Sequence, residues 1–338
     1  MITEHGAVRI STRSKLSAVA ATLLACVACS GQQGAEPAAP SGVARPTFGT
    51  SPTSTPGTPM HNGNGTPTVQ PAPAELPRGG RDVFPRYRLV GYAGLTGAST
   101  LGRLGTGPLD FRVVELEKRA QPYAKGREIL PVLEVITTVV QASAGRDGKY
   151  RMRLPDDEIR TYHQAARKHK ALLLLNLQPG RSEFLQEARA YEKWLKLPDV
   201  GVAVDPEWAM DSGQVPGRAY GHTTGAELDQ TARYLAGLVK KHDLPEKVMV
   251  YHQVASSVVR EESGLRDHEG VALIKSVDGL GPPGEKIKTY RRVNKTTPKF
   301  VHPGFKLFFT EDRRDHGRLM SPDEVLTLKP RPEYVMYE

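Results

Sequence analysis

Cysteine is almost missing from this 338-residue chain: Cys26 and Cys29 are the only two, and none follows. Everything beyond residue 29 therefore has no disulfide, no thiolate metal site and no thiol nucleophile. Long apolar runs are scarce as well. The uncharged, mostly apolar stretch near the N-terminus, Leu16–Val27, falls short of the roughly 20 residues a spanning helix needs. A chain that is 38% hydrophobic and 25% charged is neither a polytopic membrane protein nor wholly disordered. No Gly-x-Ser-x-Gly appears, which removes the usual serine-hydrolase turn. No Gly-x-Gly-x-x-Gly follows the first strand-like run, where Gly91-Tyr92-Ala93-Gly94 stands instead. What is present in excess is positive charge, formally +9, which favours anionic partners.

The first thirty residues read as an address. Arg9, Arg13 and Lys15 precede the short apolar run, giving the proportions of a secretory signal peptide. Leu23-Leu24-Ala25-Cys26 resembles a bacterial lipobox, in which a lipidated cysteine becomes the first mature residue. Cys26 fits better than Cys29, because Leu23 supplies the large apolar residue three positions earlier. The competing readings are an ordinary cleaved signal peptide or a start placed too early. The expectation is a signal peptide and lipobox over 1–29, with the protein lipid-anchored on the extracytoplasmic face of the membrane, or else secreted.

Residues 31–80 hold ten Pro and nine Gly and few large apolar side chains. Such a segment cannot bury enough surface to offset its ordering entropy, so 30–81 is expected to be a disordered tether. From Asp82 short apolar runs alternate with amphipathic ones. Eight strands are predicted: Arg88–Ala93, Ile129–Ile136, Ala171–Leu177, Gly201–Asp205, Lys247–His252, Val271–Val277, Phe305–Thr310 and Tyr334–Tyr337. Helical patterns lie between them over Asp156–Lys168, Ser182–Leu195 with Ser182 as cap, and Thr224–His242 with Thr224 as cap. Runs such as Leu172-Leu173-Leu174-Leu175 suit strands buried on both faces. Eight βα repeats over 82–338 match the size of a (β/α)8 TIM barrel in the α/β class. An open doubly wound sheet is the competitor.

In such barrels chemistry sits where strands end, and here those ends are polar. Tyr92, Asn176 with Gln178, Tyr251 with His252, Lys275 with Asp278, and Glu311 with Asp312 all fall at or near them, and Glu134 interrupts Leu133-Glu134-Val135. Caps and loop starts would account for Asp278, Glu311 and Asp312, but a buried acid such as Glu134 needs a partner. The densest feature is Asp205-Pro206-Glu207-Trp208. Residues two apart on an extended chain share a face, so Asp205 and Glu207 should both enter the pocket. Adjacent carboxyls split their pKa values and leave one protonated, as glycoside hydrolysis requires. Trp208 and Tyr92 could serve as sugar platforms.

A barrel with Asp-x-Glu ending its fourth strand resembles the glycoside hydrolase barrels of family 25 (lysozyme-like) and family 18 (chitinase-like). The resemblance covers one tripeptide and the architecture. It implies Glu207 as general acid supported by Asp205. On a hydrolase reading of the strand ends, Asp278, Glu134, or one of Glu311 and Asp312 would be the second carboxylate or the nucleophile. The same reading has Asn176, Gln178, Tyr251 and His252 hold sugar hydroxyls. Departures are visible: Gly91-Tyr92 stands where the lysozyme-like family has an Asp, and Ala203 opens the chitinase-like Asp-x-Asp-x-Glu run. The signal, tether and domain layout resembles actinobacterial surface lipoproteins. The expected partner is a polysaccharide or peptidoglycan, with the membrane reached through the lipid anchor. No cofactor, metal or nucleic acid is expected.

Other polar clusters read as background. His163 and His169 sit on a basic helical stretch and are expected to be solvated, and Arg266-Asp267-His268-Glu269 to be an exposed turn. The basic run Lys286–Lys299 is expected to be a solvated face or one drawn to anionic wall polymers. Two alternatives to catalysis by carboxylates stay open. One is a non-catalytic glycan-binding barrel. The other is a metal-dependent deacetylase or phosphodiesterase, disfavoured because His252 alone among histidines sits at a strand end.

Overall fold

A computed structural model of the chain describes residues 73–338. The expected signal peptide, Cys26, Cys29 and the expected tether as far as residue 72 lie outside the described residues. Eight parallel strands form a closed ring: β1 (Tyr87–Gly94), β2 (Glu128–Val140), β3 (Leu172–Leu177), β4 (Val200–Val204), β5 (Lys247–Gln253), β6 (Val271–Val277), β7 (His302–Leu307) and β8 (Tyr334–Tyr337). Each pairs with its neighbour in sequence. The ring shuts where β8 pairs with β1, Leu89 opposite Tyr334 and Tyr92 opposite Tyr337. The expected (β/α)8 barrel is therefore what the chain forms, and the open sheet is excluded.

Helices cover the ring: α1 (Leu109–Ala120), α2 (Asp156–Lys168), α3 (Phe184–Ala190), α4 (Glu192–Leu195), α5 (Gly225–His242), α6 (Pro283–Val293) and α7 (Pro322–Leu326). α2 opens on Asp156, Asp157 and Glu158 and closes on Arg167 and Lys168, matching its dipole. α5 begins with the expected Thr224 cap, in a full capping box with Glu227. The Ser182–Leu195 pattern is interrupted. Tyr191 leaves helical geometry while its hydroxyl donates to the Thr137 carbonyl at 2.6 Å, and α4 restarts after it. Ser182 is not the cap: Glu183 holds that position, and the Ser182 hydroxyl donates to Gln186 at 2.8 Å. No α-helix joins β5 to β6. A 3-10 turn, Glu262–Gly264, stands there.

Alternation within the strands sorts two cores. Leu89, Leu130, Val132, Leu172, Leu174, Val248, Val250, Ile274 and Met336 fill the barrel interior. Leu133, Val135, Leu173, Leu175, Val204 and their neighbours face the helices. Gly91 points inward, where a Cβ would stand 2.7 Å from the Val132 carbonyl oxygen, so only glycine allows β1 this close to β2.

The packed domain begins earlier than the composition break at Asp82 indicates. Leu76 and Val83 are buried in the interior cluster and plug the end where the strands start. Arg78 ties that plug to the strand-start side, donating to the carbonyls of Ile129 and Lys170 at 3.1 Å each and to Glu117 at 3.0 Å. A composition reading misses this because two apolar residues between prolines and glycines carry no periodic signal.

Candidate active site

Along most strands the inward positions change from apolar to polar toward the C-terminal end. β2 runs Leu130, Val132, Glu134. β3 runs Leu172, Leu174, Asn176, and β5 runs Val248, Val250, His252. Ser276 and Asp278 continue β6, Lys306 stands on β7, and Asp205 follows β4. These side chains meet in one network. His252 sits between two acids, Nδ1 2.8 Å from Asp278 and Nε2 3.0 Å from Glu134. Asp278 also accepts from Ser276 at 2.7 Å and pairs with Lys306 at 3.2 Å. Lys306 reaches Glu338 at 2.6 Å. Glu134 accepts from the Tyr334 hydroxyl. The Asn176 amide bridges Glu134 and Asp205 at 3.1 Å each, and Gln178 donates to Asp205 at 3.1 Å.

The electrostatics follow from this packing. Burial alone would lift Asp278 and Glu134, but the His252 and Lys306 cations hold both below the ordinary carboxylate range. Burial alone would lower His252 and Lys306. Asp278 with Glu134 raises His252 well above its usual value, and Asp278 with Glu338 does the same for Lys306. Asp205 is pushed up by burial, and no ion pair touches it among the described residues; its ligands are two neutral amides. Glu207 is pushed up furthest toward the neutral acid, by burial first and then by Asp205 and Asp278.

Glu207 occupies a place of its own. Pro206 starts a 3-10 turn over Pro206–Trp208, so strand alternation stops at Asp205 and does not carry Glu207 inward as expected. Glu207 stands instead at the mouth, half-buried, one carboxyl oxygen enclosed without a hydrogen-bond partner. The residues behind it are sealed: Glu134 and His252 are 0% exposed, Asp278 3%, Asp205 4% and Lys306 5%.

Of the residues read from sequence, Glu134, Asn176, Gln178, Asp205, Glu207, His252 and Asp278 come together. Five do not. Tyr92 faces outward beneath α1, accepting from Arg119 at 2.9 Å and donating to Glu115 at 3.2 Å. Tyr251 also faces outward and donates to Glu262 at 2.6 Å. Lys275 meets the same Glu262 at 2.8 Å, together with Thr297. Asp312 is buried against Lys286 at 3.0 Å, and Glu311 pairs with Arg314 at 3.2 Å on the turn after β7. Neighbours along a strand point to opposite faces, so His252 inward requires Tyr251 outward. Trp208 is buried in the turn and offers no open face. His252 is sealed between two acids, which leaves it no reach to a sugar hydroxyl.

Background residues needed revision too. His163 is buried 3.0 Å from Asp199, not solvated, and Lys286 is fully buried inside the run read as a basic surface. Sequence reasoning missed Ser276, Lys306, Tyr334 and Glu338. Lys306 carried the same signal as Glu134, a charge inside the apolar run Phe305-Lys306-Leu307.

No protein-family model and no curated protein matches this sequence. Among solved structures, a GH18 chitinase from Pseudoalteromonas aurantia is similar at a TM-score of 0.32 and 11% identity, over 74% of this chain and 93% of that one. A likeness that slight says nothing about activity.

Proposed function

We propose that this chain is an exported barrel protein, lipid-anchored at Cys26, that hydrolyses a cell-wall or environmental polysaccharide by carboxylate acid/base catalysis. The observation that carries the reading is Glu207: a carboxyl at the barrel mouth with an unpartnered oxygen, its hold on a proton strengthened by burial and by Asp205 behind it. A neutral acid in that place can donate a proton to a glycosidic oxygen. Asp205 is the second carboxylate. Neutral amides orient it without cancelling its charge, so on ionising it can stabilise the positive charge that develops on the sugar ring. Asp278 and Glu134 have their charge neutralised by His252 and Lys306, which suits support rather than attack.

The test is release of reducing sugar by the full chain from a panel of cell-wall and plant polysaccharides. Glu207→Gln is expected to lower turnover on the order of a hundredfold or more, the usual contribution of a positioned acid. Release that survives the substitution would remove Glu207 from the acid role.

A second reading, a barrel that binds glycan without cleaving it, is favoured by the sealing of every network residue behind Glu207. Retained binding with no release by the unsubstituted protein would decide for it. The export and anchoring part is tested separately, by a Cys26→Ala chain that should leave the membrane fraction. A Cys29→Ala chain should stay there.

A further inference from the structure

The outer flank of the barrel gathers charge that the mouth does not use. Glu115 on α1 faces three guanidiniums: Arg103 at 2.8 Å, Arg119 at 3.8 Å, and Arg112 in close contact. One carboxylate thus meets three guanidiniums, and Lys118 stands on the same helix, exposed. Two of those guanidiniums are under-satisfied, since the Nε atoms of Arg103 and Arg112 are buried without a hydrogen-bond partner. Arg119 lies over the rings of Phe309 and Tyr337, 5.1 Å from each centroid. Its Nε donates to Tyr92, while its Nη2 stands 3.8 Å from Glu115, beyond hydrogen-bond length.

Glu115 and Arg119 border a cleft of about 540 Å³, a volume in the range of small-molecule sites. Glu115, Lys118 and Arg119 supply its charge, and Pro122, Leu319 and Pro322 its accessible apolar wall, with Met320 and Tyr337 buried behind. A guanidinium stacked on aromatic rings keeps its edge available, and that edge matches a carboxylate. We propose that this cleft binds an organic carboxylate, its charge on Arg119 and Lys118 and its carbon body against Pro122, Leu319 and Pro322. The site is separate from the barrel mouth and stands whether or not the barrel hydrolyses a glycan.

The experiment is calorimetric titration of the full chain with benzoate, with benzyl alcohol as uncharged match and inorganic phosphate as bare anion. Benzoate should bind saturably in the millimolar range and weaken as salt rises. Benzyl alcohol and phosphate should each bind at least about tenfold more weakly. Arg119→Gln should reduce benzoate affinity about tenfold or more. Lys118→Gln, an exposed change that spares folding, should weaken it in the same direction. Absence of saturable benzoate binding would overturn the proposal, as would equal binding of benzyl alcohol. Phosphate binding as tightly as benzoate would overturn the role of the apolar wall.

Discussion

His252 and Lys306 set the protonation of the barrel mouth, because each neutralises acids that have no water to turn to. Removing one cation leaves buried carboxylates uncompensated. His252→Leu should therefore cost on the order of 3–5 kcal/mol, read from the urea midpoint. Asp205 and Glu207 work in the opposite sense. They titrate higher in the fold than in the unfolded chain, so the fold keeps protons the unfolded chain has lost. Their contribution is complete below the ordinary carboxylate value and is lost as pH rises through the raised ones. Stability should fall as pH rises above the ordinary carboxylate range, and Glu207→Gln should flatten that fall. A slope unchanged by the substitution would mean that Glu207 does not hold its proton. At this scale the sequence is readable by one rule: a charge within an apolar run has a buried partner. Glu134 and Lys306 both obey it. Direction is the harder part. Tyr251 and Lys275 lie beside His252 and Ser276, so taking whole strand ends as one pocket brings in residues that alternation sends outward.

Elements were more legible than individual contacts. The strands announce themselves as short apolar runs, since both faces of each are covered. α2 and α5 carry their own start and stop chemistry. What composition does not encode is where a tertiary contact overrides a local pattern, as when the Tyr191 hydroxyl reaches Thr137 and splits a helix in two. Nor does it show the link from β5 to β6, where a polar knot replaces a helix. Glu262 accepts from Tyr251 at 2.6 Å and Thr296 at 2.7 Å, and pairs with Lys275 at 2.8 Å. Glu262→Leu strands the fully buried Lys275 ammonium, and a loss of about 3 kcal/mol or more is expected in chemical denaturation. A loss under about 1 kcal/mol would show that the knot is only a surface ion pair.

For the whole molecule, the barrel has one plugged end and one polar end, and the plug comes from a segment that reads as tether. A chain starting at Asp82 loses Leu76 and the Arg78 anchors, whereas one starting at Pro73 keeps them. The shorter version should be less stable by at least about 2 kcal/mol, the worth of burying one leucine side chain, measured as the difference in denaturation midpoints. The closing pair of strands sets a schedule as well as a shape. β1 has a free edge until β8 arrives, and Leu89 must wait for Tyr334 far along the chain. Contacts of such long sequence separation are slow to form. While they are pending, β1 and β7 both present unpaired backbone to whatever strand is near. Synthesis and folding are thus kept apart in time: the ring cannot lock before β8 has been made. A chain interrupted before Tyr334 should accumulate as aggregate rather than as a smaller soluble barrel.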